Sequence, residues 1–196
     1  MGAEARIALG LRARTGSAAV VALSGEPTAP RLVAKSRLVM ATTFETGAVY
    51  HAAQELPLAA AAAHVEKSER RFEDLAVKDL EALREELGDG NRWIGAALVS
   101  GAARPALPLE EIVKAHPRVH AAEGELYKRV VERAVAACGL QVQRIAPTEL
   151  VGRVRKATGL EPAEVERILA ALGKGSGPPW TKEQKECALA AWALLG

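Results

Sequence analysis

Between Ala5 and Ala41, three apolar stretches are separated by reversals too short to hold a helix, so they must pair as consecutive antiparallel strands. The first expected strand, Ala5 to Leu11, ends in Arg12 and leads into Ala13-Arg14-Thr15-Gly16-Ser17, with the glycine that tight reversals favour. The second runs from Ala18 to Leu23. After Gly25-Glu26-Pro27-Thr28-Ala29-Pro30, the stretch from Arg31 to Ala41 interleaves Leu32 and Ala34 with Lys35 and Arg37, the polar mixture of an edge strand.

From Ala48 to Leu87 the pattern is helical, with a boundary at Pro57. Val65, Phe72, Ala76, Leu80, Leu83 and Leu87 share one face, and charged residues such as Glu66, Arg70, Glu73 and Lys78 make the rest a solvated surface. Gly88-Asp89-Gly90-Asn91 closes this segment by turn chemistry. Trp93 to Val99 is an almost continuous apolar run, which fits a strand buried on both faces. Beyond the loop from Gly101 to Pro108, a short helix precedes a long one from Val119 to Cys138, with Gly139 at the C-cap position and a fifth strand from Leu140 to Ile145. Pro147 and Pro162 open further helices, and Gly173-Lys174-Gly175-Ser176-Gly177-Pro178-Pro179 reads as a flexible connector. Thr181 and Gln184 form a capping-box pattern at the start of a terminal helix, about 181–195.

The expected architecture is one α/β domain over residues 1–196, with a helical insert at about 48–88. Its sheet is five-stranded and mixed, an antiparallel three-strand meander plus two parallel strands, with helices on both faces. With 196 residues and 49% hydrophobic content the chain can build such a core, and at 4% aromatics Leu, Val, Ile and Ala must fill it. A formal charge of +2 is too small for a bulk electrostatic footprint, so any basic patch must be local. Cys138 and Cys187 have no metal-ligand spacing and read as buried free thiols. The apolar run Leu58 to Ala63 stops at His64, and Glu4 and Arg6 interrupt any leader-like segment. The expectation is a cytoplasmic protein with no membrane partner.

The order of elements, the strand Ile7-Ala8-Leu9-Gly10-Leu11, the turn Thr15-Gly16, the run Trp93 to Val99 and the segment Glu183-Gln184-Lys185-Glu186-Cys187-Ala188-Leu189-Ala190 together resemble the ribonuclease H-like superfamily. In layout they are similar to its Holliday-junction resolvase branch. The resemblance implies two divalent cations about 4 Å apart held by carboxylates, one of them immediately after the first strand. That position holds Arg12. A second acidic ligand is expected near the end of the fourth strand, yet no Asp or Glu lies between Asp89 and Glu110. The three aspartates, Asp74, Asp79 and Asp89, fall on or just after the long helix. Only Glu183 and Glu186 remain as vestigial catalytic candidates, three apart on one helix face.

A guanidinium at a metal-ligand position repels Mg²⁺ and instead suits a carboxylate or a phosphate. Arg12, Arg14, Lys174, Lys182 and Lys185 are therefore candidates for anion or nucleic-acid binding. His116 and His120 have the i, i+4 spacing of helical zinc sites, but the intervening Pro117 assigns His116 to the preceding turn. His51 and His64 read as core or boundary residues. The Gly173-Lys174 pair lacks the glycine five positions earlier that a phosphate loop requires, since Ile168 stands there. Trp180 and Trp192 read as core anchors.

Three functional readings follow. The first is a non-catalytic ribonuclease H-like domain that binds nucleic acid or a protein partner and needs no cofactor. The second is a divergent metal-dependent hydrolase, a nuclease or phosphodiesterase that uses Glu183 and Glu186 with a single Mg²⁺ or Mn²⁺, and Glu123 as an optional third ligand. The third is a protein-interaction or dimerisation module that uses the long helix, with a homodimer as one form.

Overall fold

The computed structural model describes residues 5–88, 90–103 and 105–196. Its meander consists of β1 (Ala5–Arg14), β2 (Ser17–Glu26) and β3 (Ala29–Val39). Three short-to-long helices follow, α1 (Phe44–Gly47), α2 (Val49–Gln54) and α3 (Leu58–Leu87), and then β4 (Asn91–Val99). After α4 (Leu109–Val113) and α5 (His116–Ala137) comes β5 (Val142–Ile145). A 3₁₀ turn at Pro147–Glu149 leads to α6 (Leu150–Thr158), α7 (Pro162–Ser176) and α8 (Lys182–Trp192).

The strand order is β3-β2-β1-β4-β5, with β1 antiparallel to β2, β2 antiparallel to β3, and β4 parallel to both β1 and β5. This is the expected mixed sheet. β1 and β4 lie inside it, and β3, with its Lys and Arg residues, is an edge. β1 extends three residues beyond Leu11, so Arg12 and Arg14 are strand residues and not part of the turn. They stay in the ladder because Arg12 pairs with Ala19 and Arg14 with Ser17 across the hairpin.

Each sheet face buries its own core. Ile7, Leu9, Leu11 and Val20 meet Phe72 and Leu80 of α3 and Tyr127 and Val131 of α5 on one face. There the Phe72 and Tyr127 rings stack at 5.3 Å, and the Tyr127 hydroxyl donates to the Gly47 carbonyl at 2.7 Å. The apolar stripe of α3, from Ala61 to Leu83, packs inside the chain. On the other face, Ala8, Val21, Leu23 and Ala97 pack against Val154, Ala188 and the fully buried Trp192, whose indole N–H donates to the Pro27 carbonyl at 2.6 Å. Cys187 is fully buried here, and burial pushes its thiol far above the ordinary range, so it is no nucleophile. Cys138 is only half-buried.

Two further departures from the sequence reading have identifiable reasons. α7 runs through Gly173 to Ser176, where a connector was expected, and the Trp180 indole packs against Gly173. A Cβ at Gly173 would sit 2.6 Å from Trp180 Cγ, so the small residue serves close packing rather than flexibility. The second is the start of α5 at His116, discussed below. Asp89 and Glu4 lie outside the described residues. Among the described residues, no helix is long and apolar enough to cross a membrane.

α8 lies directly on β1 at Gly10. A Cβ at Gly10 would overlap the Cys187 carbonyl oxygen and lie 2.8 Å from the Ala191 nitrogen, both of them backbone atoms that no rotamer change can move. Gly10→Ala is expected to force α8 off the sheet and lower stability by about 3 kcal/mol. The check is the urea midpoint, read with the m-value unchanged.

Candidate functional site

The two-residue period of β1 aims Ala8, Gly10, Arg12 and Arg14 at the α8 face, opposite to Ile7, Leu9 and Leu11. Because Gly10 lets α8 approach, the first turns of that helix lie beside the C-terminal end of β1. Thr181 caps the helix, accepting from the Gln184 N–H while the Gln184 side chain accepts from the Thr181 N–H at 2.9 Å. Glu183 and Glu186, three apart, then face the strand. Arg14 Nε donates to Glu183 Oε1 at 2.6 Å, and Arg12 makes a direct ion pair with the largely buried Glu186. Lys182 Nζ lies 3.9 Å from the second oxygen of Glu186.

The same face continues onto β3. Arg12 stands opposite Ala19, and Ala19 opposite Arg37, so two guanidiniums flank one alanine across three adjacent strands. Lys35, two residues before Arg37, donates to the carbonyls of Gly177 (2.7 Å) and Pro179 (3.1 Å), while Arg37 donates to Ser17 Oγ at 3.2 Å. Lys35, Arg37, Pro179, Thr181 and Glu183 line a groove of about 460 Å³. Five cations, Arg12, Arg14, Lys35, Arg37 and Lys182, thus stand around two carboxylates. Of the other basic candidates, Lys174 is in the last turn of α7, and Lys185 is on the opposite side of α8 from Glu183. Lys35 and Arg37 escaped the sequence reading because their polarity was assigned wholly to an edge strand, although their two-residue spacing places them on one face.

No protein-family model matches the sequence, and no curated protein matches it. Among solved structures, RuvC from Thermus thermophilus superposes with a TM-score of 0.53 over 95% of this chain and 92% of its own, at 11% identity. The fold is ribonuclease H-like. T. thermophilus RuvC in complex with a Holliday junction substrate gives a TM-score of 0.55 over 95% of this chain and 91% of that one, again at 11% identity. At this identity the likeness carries the fold alone, and the chemistry must be read from the residues.

Those residues do not fit a pair of divalent cations. Two-metal chemistry needs carboxylate oxygens that bridge and flank the ions. In this ribonuclease H-like chain both α8 carboxylates already face guanidiniums, and the strand position next to them carries positive charge. Asp79 is on α3, where it accepts from the Val39 N–H at 2.7 Å. Glu123 sits across the sheet, among α2 and α5, where its oxygens accept from the N–H groups of Val49 (2.8 Å) and Tyr50 (3.0 Å). It does not join Glu183 and Glu186.

His116 and His120 depart from the sequence reading. Pro117 falls in the first turn of α5, where its missing N–H has no helical acceptor to lose, so both histidines belong to one helix. Their Nε2 atoms are 2.9 Å apart.

A second feature that sequence reading missed is the Arg144 cluster between β5 and α5. Arg144 Nη2 contacts Glu125 Oε1 at 2.6 Å, and its Nε and Nη2 make a fork with Glu132 at 2.6 and 2.8 Å. The hydrogen bond to Glu132 is the largest influence raising the Arg144 pKa, so its charge is permanent. For Glu125, burial opposes ionisation, but the Arg144 hydrogen bond and charge outweigh it and hold the carboxyl below its usual value of 4.5. A carboxyl lowered in the folded state contributes stability above 4.5 and loses it as pH falls through the lower folded value. The urea midpoint should therefore drop below pH 4.5. Arg144→Met should cost about 3 kcal/mol at neutral pH by leaving Glu132 without this partner and Glu125 with Lys128 alone, and this deficit should narrow in acid as the carboxylates protonate. Urea titrations of both proteins across that range provide the measurement.

Proposed function

We propose that the chain is a non-catalytic ribonuclease H-like domain that binds nucleic acid along the basic face formed by β1, β3 and the start of α8. The observation that carries this reading is the inversion of charge at the end of β1, where Arg12 and Arg14 meet Glu186 and Glu183. A site built to hold Mg²⁺ or Mn²⁺ must be net negative, and five cations around two carboxylates make this one net positive. Such a surface attracts a polyanion, and the planar guanidiniums suit phosphate oxygens. Because the excess is local, it is compatible with a chain whose formal charge is only +2. RuvC's complex with a Holliday junction makes a branched DNA the reasonable first probe.

The test uses a four-way DNA junction and an RNA–DNA hybrid. Fluorescence anisotropy should show binding that weakens steeply with salt, and replacing Lys35 or Arg37 with Ala should reduce the salt slope by about one per removed phosphate contact. Neither substrate should be cleaved in Mg²⁺ or Mn²⁺. Cleavage that disappears in Glu183→Gln or Glu186→Gln would establish the hydrolase reading instead, and absence of nucleic-acid binding at low salt would leave the face to an acidic protein partner.

A further inference from the structure

Three of the four histidines in the chain converge at one place, on the opposite side of the sheet from Arg12. His51 is on α2, and His116 and His120 are one turn apart at the start of α5. One ring nitrogen from each lies within 4.8 Å of the others. The ring centroids are 4.3 to 5.4 Å apart. The Nε2 atoms of His116 and His120 are in hydrogen-bond contact at 2.9 Å, a contact that a small rotation of either ring would open to admit a shared ion.

The surroundings of His51 add an independent observation. Its Nδ1 faces Glu123 Oε2 at 3.2 Å, and Glu123 is itself fixed by the N–H groups of Val49 and Tyr50. A carboxylate on one ring nitrogen sets the tautomer and leaves the other nitrogen as a lone-pair donor, the arrangement by which proteins orient metal-binding histidines. Glu123 is only 3% exposed, so a buried carboxyl group stands behind this imidazole. Gln54 Nε2 donates to the Val113 carbonyl at 2.9 Å and ties α2 to the α4–α5 region, which holds the two halves of the cluster together.

We infer that His51, His116 and His120 bind one late first-row divalent transition metal, Zn²⁺ being the natural occupant. Three imidazole nitrogens suit this class and not Mg²⁺ or Ca²⁺, which prefer oxygen. Tetrahedral coordination at about 2.0 Å requires the nitrogens to be somewhat closer than the widest pair here, and the exposed rings of His116 and His120 supply that adjustment by rotation. Their exposure also leaves the fourth position to water. The metal clamps α2 to α5 across more than sixty residues of sequence, and this inference does not depend on the nucleic-acid reading.

The experiment uses the full chain freed of metal by a chelator. Zn²⁺ titrated by calorimetry should bind one ion per chain. Co²⁺ should give the intense visible absorption of a four-coordinate ion, and Zn²⁺ at a hundredfold excess over its dissociation constant should raise the melting temperature by about 5 °C or more. His116→Ala and His120→Ala each remove a ligand from an exposed position with little risk to folding, and each should weaken Zn²⁺ binding by roughly a hundredfold or more. Glu123→Gln should weaken it by about tenfold to a hundredfold through loss of orientation. His64→Ala, on α3, should bind as the parent chain does. No Zn²⁺ binding at about 100 µM, undiminished binding in the His116→Ala/His120→Ala double variant, or a weak six-coordinate Co²⁺ spectrum would each overturn the inference.

Discussion

The closeness of α8 to β1 at Gly10 governs the rest of the α8 face. With no Cβ at that position, the helix backbone comes into contact with the strand backbone, and the Cys187 carbonyl and Ala191 nitrogen occupy the space a side chain would take. The same approach buries Cys187, Ala188, Ala191 and Trp192 against Ala8, Ala19, Val21 and Ala97, a core built largely from small residues that permit short interlayer distances. One turn towards the N-terminus of α8, it brings Glu186 and then Glu183 opposite the strand residues that follow Gly10 at two-residue intervals. Arg12 and Arg14 meet carboxylates because the helix cannot sit anywhere else.

This explains how two glutamates at a helix start are charge-balanced by the strand beside them. Glu183 is in the first turn of α8, where the helix dipole favours a negative charge, and Glu186 is one turn further into a largely buried environment. Buried carboxylates require a counter-charge. Here the strand supplies that charge covalently, through Arg12 and Arg14.

Much of the fold was legible from local patterns. The meander, the continuous run of β4, the Pro57 boundary and the Thr181 cap each arise from signals within a few residues of one another. Part of the site's composition was legible as well, since Arg12 and the acid-free interval between Asp89 and Glu110 are visible without coordinates, whereas Lys35 and Arg37 were not recognised. What sequence reading missed depends on long-range contacts. Gly173 looks like a loop residue until Trp180 is seen against it. His51 reads as a boundary histidine because nothing in its own neighbourhood shows that the start of α5 lies beside it. Pro117 misled for the opposite reason: a proline between two histidines signals a helix break, and only its placement in the first turn keeps them on one helix.

The two sheet faces carry different chemistries, and the separation follows from the alternation of β1. Even-numbered positions bring Gly10, Arg12 and Arg14 to α8, while odd-numbered Ile7, Leu9 and Leu11 support the layer in which α2 and α5 place Glu123 and the histidines. A basic surface that attracts phosphates and an imidazole cluster suited to a transition metal would interfere if they shared one cleft, because a divalent cation and a set of guanidiniums repel each other while competing for the same anions. The five-stranded sheet keeps them apart with an apolar layer of low dielectric on each side. A metal bound among the histidines would therefore act on the basic face through the packing of α5 against β1, by holding the helical layer rigid, and not through direct charge.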